Sequence, residues 1–353
     1  MTGVKHYGGL FAALAGILFC VALTPLQAYA ANEGNFSLQV SPSPLVTTVK
    51  PAEPKDLELK IRNASTGTEE LKIEAQSFKF DSITGEIKLD DTVPPEAKQW
   101  VSFSHPIFSV KPGEWFTQKI HIELPKDTGF SYSFALVISR TSLPSSNSAG
   151  QLLKGSVAVF TLINVDRPGA TRGLDVTSLT TSQAIYEYLP VTFNIKLKNT
   201  GNTIVQPYGN LFVGRGGDKT NTPAATLSVN SSSSYLLPGT ERTLQAAWSD
   251  GFPLYKTTTG KDGKPQTTLS WNWENMSHFK FGRYTAKVVA VYNDGTRDVP
   301  VEKEVIFWVI PWKAILMILV TLVVIVLLVR FYIKKHTEKA VKKALSSRAK
   351  DES

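Results

Sequence analysis

The chain has 353 residues, with 38 Lys and Arg against 30 Asp and Glu, a formal charge of +8. The excess sits at the two ends. With Lys5, Lys313 and the basic C-terminal run set aside, cations and acids nearly cancel, which excludes the basic face that a nucleic acid requires, and the single cysteine, Cys20, excludes both a disulfide framework and a thiolate metal cluster.

Residues 1–30 read as a secretory signal. Lys5 and His6 give a short positive start, Leu10 to Leu23 is an almost unbroken apolar run, Pro25 ends it, and Ala28-Tyr29-Ala30 supplies the small-x-small cleavage pattern. The run is short for a membrane span of about 20 residues. Cleavage after Ala30 removes Cys20 and places the rest of the chain outside the cell.

From residue 32 onwards short stretches alternate apolar and polar residues, with Gly, Pro, Asn and Ser between them. Leu57-Glu58-Leu59-Lys60-Ile61, Ile120-His121-Ile122-Glu123-Leu124 and Val191-Thr192-Phe193-Asn194-Ile195-Lys196-Leu197 are examples. Each puts its apolar side chains on one face, as a half-buried antiparallel strand requires. Asp166-Arg167-Pro168-Gly169 breaks the series and predicts a linker between two immunoglobulin-like β-sandwiches, residues 32–166 and 170–306. The two stretches echo one another. Leu57 to Asn63 and Phe193 to Asn199 both run into a turn, and Val110-Lys111-Pro112-Gly113 and Leu236-Leu237-Pro238-Gly239 both open a strand. The Asn-x-Ser sequons at Asn35, Asn63, Asn230 and Asn275 are frequent enough by composition that no glycosylation is read from them.

The C-terminal part predicts one transmembrane helix over 308–330. Ala314 to Val329 carries no charge, and with Ile310 to Lys313 it reaches the roughly 30 Å of a hydrocarbon core at about 1.5 Å per residue. Trp308 and Trp312 suit the outer interface, and Lys313 can extend its amine to the headgroups. Arg330, Lys334 and Lys335 begin a basic tail, residues 331–353, which the positive-inside rule puts in the cytoplasm. The expected fold is thus an all-β exterior of two tandem sandwiches plus one C-terminal transmembrane α-helix, held in the plasma membrane.

This layout resembles the WxL-interacting protein family of Gram-positive bacteria. The resemblance rests on Phe36 to Pro42, Leu57 to Asn63, Val110-Lys111-Pro112-Gly113 and Gly129 to Ile138 in the first stretch. In the second it rests on Asn199 to Gly201, Pro238-Gly239 and Gly282-Arg283-Tyr284. Where that family often has Gly-Gly, this chain has Phe130-Ser131. The resemblance implies a first domain that binds peptidoglycan and a second that binds a protein partner.

The residues themselves show no catalytic constellation. His105, His121 and His278 are isolated, no His-Glu-x-x-His or Gly-x-Ser-x-Gly occurs, and Asp90-Asp91 is too small a set for a calcium ion. No metal, cofactor or enzymatic activity is expected. The candidate ligand-binding residues are Trp271 and Trp273. Two apart in a strand, they would share a face and could stack on sugar rings; the alternative, preferred here, is that they pack into the core or against the insertion Ser249 to Gln266. Trp115 and Trp248, each after a Pro-Gly turn, are expected in the core. The expected function is a non-catalytic surface protein that holds wall glycan or another surface protein, with a membrane-tethered wall enzyme, or an accessory subunit of one, as the alternative.

Overall fold

The computed structural model describes residues 36–80, 87–90, 92, 94–141, 155–216, 222–260 and 262–351. The expected signal and its Cys20, the sequon at Asn35, and Asp91 lie outside them. The chain is mostly β, with one long C-terminal apolar helix.

The first half contains β1 (Leu38–Ser41), β2 (Leu45–Val49), β3 (Lys55–Asn63), β4 (Glu69–Phe80), β5 (Ile87–Asp90), the short helix α1 (Pro95–Trp100), β6 (Val101–Phe103), β7 (Ile107–Val110), β8 (Trp115–Ile122), β9 (Ser131–Arg140) and β10 (Ser156–Val165). One sheet has the order β1-β3-β8-β6, and the other β2-β10-β9-β4-β5 with β7 also on β4. Leu59, Ile61, Ile120 and Ile122 from the first sheet meet Ile73, Leu136, Ile138 and Ile163 from the second in one hydrophobic cluster.

The second half contains β11 (Leu174–Thr181), β12 (Ile185–Tyr186), β13 (Val191–Asn199), β14 (Tyr208–Arg215), β15 (Ala225–Ser228), β16 (Glu241–Trp248), β17 (Leu254–Thr259), β18 (Pro265–Ser270), a 3-10 turn at Trp273–His278, β19 (Gly282–Asn293) and β20 (Asp298–Val309). Its sheets run β11-β13-β16 and β12-β20-β19-β14-β15. Apart from β6 and β7, which have no counterpart, this repeats the strand order of the first half, down to the parallel pairing of β2 with β10 and of β12 with β20. The matching Pro-Gly pairs are real turns. Glu114 N donates to Lys111 O and Thr240 N to Leu237 O, both at 3.1 Å, while Gly113 and Gly239 take φ of +77° and +69°. Proline then glycine with positive φ is the signature of a type II turn.

The second half has one large addition. β8 and β9 are joined by the short connection 123–130, whereas β16 and β19 are separated by 249–281, which forms the β17–β18 hairpin and the 3-10 turn. The hairpin is the insertion read from the sequence, now with its own two-stranded sheet.

Parity decides where the two turn-associated tryptophans go. In β16 the even residues Leu244, Ala246 and Trp248 point inward, and Trp248 is 1% exposed. In β8 the inward residues are also even, so Trp115 at the strand start faces out, 54% exposed, beneath the Arg62 guanidinium at 5.9 Å. The core expectation therefore holds for Trp248 and is corrected for Trp115.

The segment read as a linker, 166–169, makes contacts on both sides. Gly169 adopts φ +89°, the Arg167 guanidinium lies 5.3 Å over the Phe130 ring, and Asn202 bonds both Gly169 O and Thr171 N. Across the joint, Asn164 Nδ2 donates to Ile204 O at 3.2 Å and its Oδ1 accepts from Ile204 N at 2.8 Å.

The long helix α2 (Trp312–Asp351) follows β20 after only Ile310 and Pro311. Its first turn closes with Ile315 N bonded to Pro311 O at 3.0 Å, and proline at this place loses no helical hydrogen bond. The helix read over 308–330 begins four residues later, at Trp312. Trp308 stands on β20, opposite Arg283, and the basic tail continues the helix to Asp351.

Candidate functional site

Three features carry the chemistry, and two lie at the end of the second half from which α2 leaves. At that end Gly282 pairs with Val309 and Tyr186 with Val309.

The first feature is an aromatic stack. Trp271 follows β18 and Trp273 begins the 3-10 turn, so they are not on a strand, as expected from spacing; the turn instead brings them together. Their rings stack at 5.7 Å and 21°, and each touches Phe252, at 5.8 and 5.3 Å. Phe252 is buried and fixed by Phe252 N to His278 O at 3.2 Å, so the stack is seated on the core. Neither indole enters the core, because the exposures are 52% for Trp271 and 67% for Trp273; both instead rest on Phe252 of the insertion 249–266, the other half of the packing read from the sequence. Met276, Phe279 and Phe281 are exposed beside them. Beneath, Asp250 pairs with His278 at 2.5 Å and with Lys280 at 3.8 Å, and Lys280 lies 5.7 Å over the Trp248 ring.

The second feature is a polar clasp on the root of α2. Glu187 Oε2 accepts from Tyr255 Oη at 2.8 Å and from Lys313 Nζ at 2.7 Å, tying the hairpin and the helix to the segment after β12. Burial raises the Tyr255 hydroxyl above the ordinary tyrosine value, and its hydrogen bond to Glu187 adds to the rise. Trp312 is exposed beside this clasp, and Arg330, Lys334 and Lys335 are exposed further along α2. The stretch Trp312–Lys339 is long and apolar enough to cross a membrane, and beyond its root its apolar residues stand exposed.

The third feature was not foreseen from the sequence. A cleft of about 210 Å³ opens between the halves, lined by Phe78, Phe160 and Leu162 on one side and by Tyr235, Leu237 and Arg242 on the other. Phe78 and Phe160 meet edge to face at 5.2 Å. Burial pulls the Arg242 guanidinium below its ordinary value. Its lining comes from places far apart in the chain, Phe78 on β4 and Phe160 and Leu162 on β10 against Tyr235 and Leu237 before β16, so no local pattern announces it.

The polar groups elsewhere are accounted for by structure. His121 pairs with Asp56 at 2.7 Å, and His105 with the Ser104 hydroxyl at 3.1 Å. Asp90 ends β5, and its carboxyl is held below the usual range by the Thr92 backbone N–H. Glu69 is the buried carboxylate among the described residues, and Arg140 takes both its oxygens at 2.5 Å. No group of three potential metal ligands occurs among the described residues.

No family model matches the chain, and no curated protein matches it. Solved structures do. The CsuC–CsuE chaperone–tip adhesion subunit pre-assembly complex of Acinetobacter baumannii is 13% identical with a TM-score of 0.35, covering 75% of this chain and 97% of that one. The Pseudomonas aeruginosa CupB2 chaperone is 13% identical at 0.34, covering 66% and 99%. The Salmonella enterica SafB chaperone, solved with the SafA pilin, is 11% identical at 0.36, covering 77% and 97%. All are pilus chaperone structures. The resemblance to WxL-interacting proteins is therefore corrected: no family model matches, the solved structures above are chaperone structures and not members of that family, and the peptidoglycan-binding expectation drawn from it falls with it.

Proposed function

We propose that this is a non-catalytic protein-binding module held at a membrane, built as two tandem immunoglobulin-like sandwiches that grip a segment of a partner protein in the cleft between them. The observation that carries this reading is the cleft itself. Pockets for small molecules usually run to about 300–1,000 Å³, so about 210 Å³ suits one or two inserted side chains. Largely apolar walls, with Ser43, Ser232, Ser233, Ser234 and one guanidinium to accept or donate hydrogen bonds, suit a peptide segment. The joint at Asn164 and Ile204 keeps the walls apart at a set width.

In this reading α2 is the anchor. Its charge-free stretch crosses the bilayer, and Arg330, Lys334 and Lys335 stay on the cytoplasmic side. The enzymatic alternative needs two carboxylates converging on one bond. The buried carboxylate described, Glu69, is instead locked to Arg140, which argues against it.

The test is site-specific photo-crosslinking from Phe78 and Tyr235 in the full chain on intact cells. A discrete protein adduct formed from both positions and lost in Leu237→Glu supports the reading. Adducts that ignore Leu237→Glu, or turnover of a wall substrate by the purified chain, would overturn it.

A further inference from the structure

The insertion 249–281 is absent from the equivalent place in the first half, so the sandwich does not need it. It sits at the end of the second half that α2 leaves. Phe281 directly precedes the Gly282–Val309 pair, and α2 begins three residues past Val309. The insertion spends its largest side chains on the outside, with Trp271, Trp273, Met276, Phe279 and Phe281 all exposed. These indoles, stacked on one another and resting on the buried Phe252, have an apolar body and a polar N–H, the combination that favours the bilayer interface.

We propose that this aromatic cluster lies in the interfacial layer of the same bilayer that α2 crosses, as a second seat beside the anchor. This rests on the reading of α2 as a membrane span. The charges fit a shallow position. Lys256 and Lys264 are exposed on the hairpin and meet anionic headgroups, while Lys280 and His278 are engaged with Asp250. Glu274, exposed in the 3-10 turn, keeps the cluster at headgroup depth and out of the hydrocarbon. The Glu187 clasp to Lys313 and Tyr255 ties the hairpin to the helix root, so helix and cluster face the membrane together.

The experiment uses the full chain reconstituted into vesicles of phosphatidylcholine and phosphatidylglycerol whose acyl chains carry bromine at shallow positions. Trp fluorescence quenching is compared with that of Trp271→Phe/Trp273→Phe, and carbonate extraction reports on α2 in the same samples. The expected result is a shallow-quenched component that shrinks in the double variant, with both chains resisting extraction. Chains that resist extraction, with quenching identical in the two, would overturn the second seat and leave the anchor intact. Release by carbonate would overturn the anchor and the seat together. Indoles that stay fully open to aqueous acrylamide after insertion, or that lose this access only when a soluble glycan or protein is added, would also overturn it.

Discussion

Asn63 and Asn199 perform one task in two places. Both are fully buried at the end of equivalent strands. Asn63 Nδ2 donates to Gly67 O and Val110 O at 2.7 and 2.8 Å, and its Oδ1 accepts from Ser65 N at 2.8 Å. Asn199 Nδ2 donates to Thr203 O and Leu236 O at 2.7 and 3.0 Å, and its Oδ1 accepts from Gly201 N at 2.9 Å. Each asparagine pins its own turn to the segment that leads into the following Pro-Gly turn. Burial also puts the Asn63 sequon out of reach of modification in the folded chain.

Replacing Asn63 by alanine strands the buried Val110 O, and replacing Asn199 strands the buried Thr203 O and Leu236 O, alongside part-buried groups in each turn. At about 1–3 kcal/mol for each buried group, Asn63→Ala should destabilise its half by about 1–3 kcal/mol and Asn199→Ala its half by more. Urea unfolding followed by hydrogen exchange in each half would show the loss confined to that half.

The Glu69–Arg140 pair should respond unevenly to substitution. Glu69→Gln leaves a buried guanidinium without its counter-ion, at about 3–5 kcal/mol. Glu69→Leu/Arg140→Met removes both charges and should recover most of that loss in a double-mutant cycle.

Trp115 and Trp248 should separate sharply. Trp248→Ala opens a core cavity, at about 3–5 kcal/mol. Trp115→Ala touches an exposed ring over Arg62 and should stay within about 0.5 kcal/mol. Thermal unfolding of the two variants distinguishes them directly.

Asp294 gives a pH dependence. Backbone N–H groups of Arg297 and Thr296, with the Thr296 hydroxyl, lower its carboxyl to about 2. A carboxyl lowered on folding contributes stability above its unfolded value near 3.8, and that contribution is lost as pH falls toward about 2. Carboxyl NMR should place its titration near that value, and Asp294→Asn should flatten the stability profile between these two pH values.

Glu187→Ala should loosen the root of α2. Amide exchange at Trp312, whose N–H bonds Ile310 O at 2.8 Å, should quicken several-fold while Val288 in the core keeps its rate.

Much of this was legible from residue order. Alternation at Leu57 to Ile61 and Val191 to Leu197 gave β3 and β13, because one buried face imposes a period of two. Charge asymmetry around Ala314 to Val329 located the apolar core of α2. Parity at Trp115 was legible too, since Ile120 and Ile122 set the inward face of β8 at even positions and Trp115 is odd. The Trp271–Trp273 stack could not be read from spacing, since a 3-10 turn, and no strand, brings the rings together. The cleft was hidden for another reason: Phe78 and Tyr235 meet only through the docking of the two halves, which depends on the Asn164–Ile204 bonds. Local sequence holds no trace of that contact.

The two-residue passage from β20 into α2 determines how a load would travel. A tug that draws the first half away from the helix enters the second half at the start of β11 and leaves through the end of β20. It therefore runs along β20, whose partners are β19 on one side and β12 on the other. Ladder hydrogen bonds lie across the strand direction, so such a tug shears the β19–β20 register as a block and cannot peel it pair by pair. A protein wired this way resists tension best along its own length.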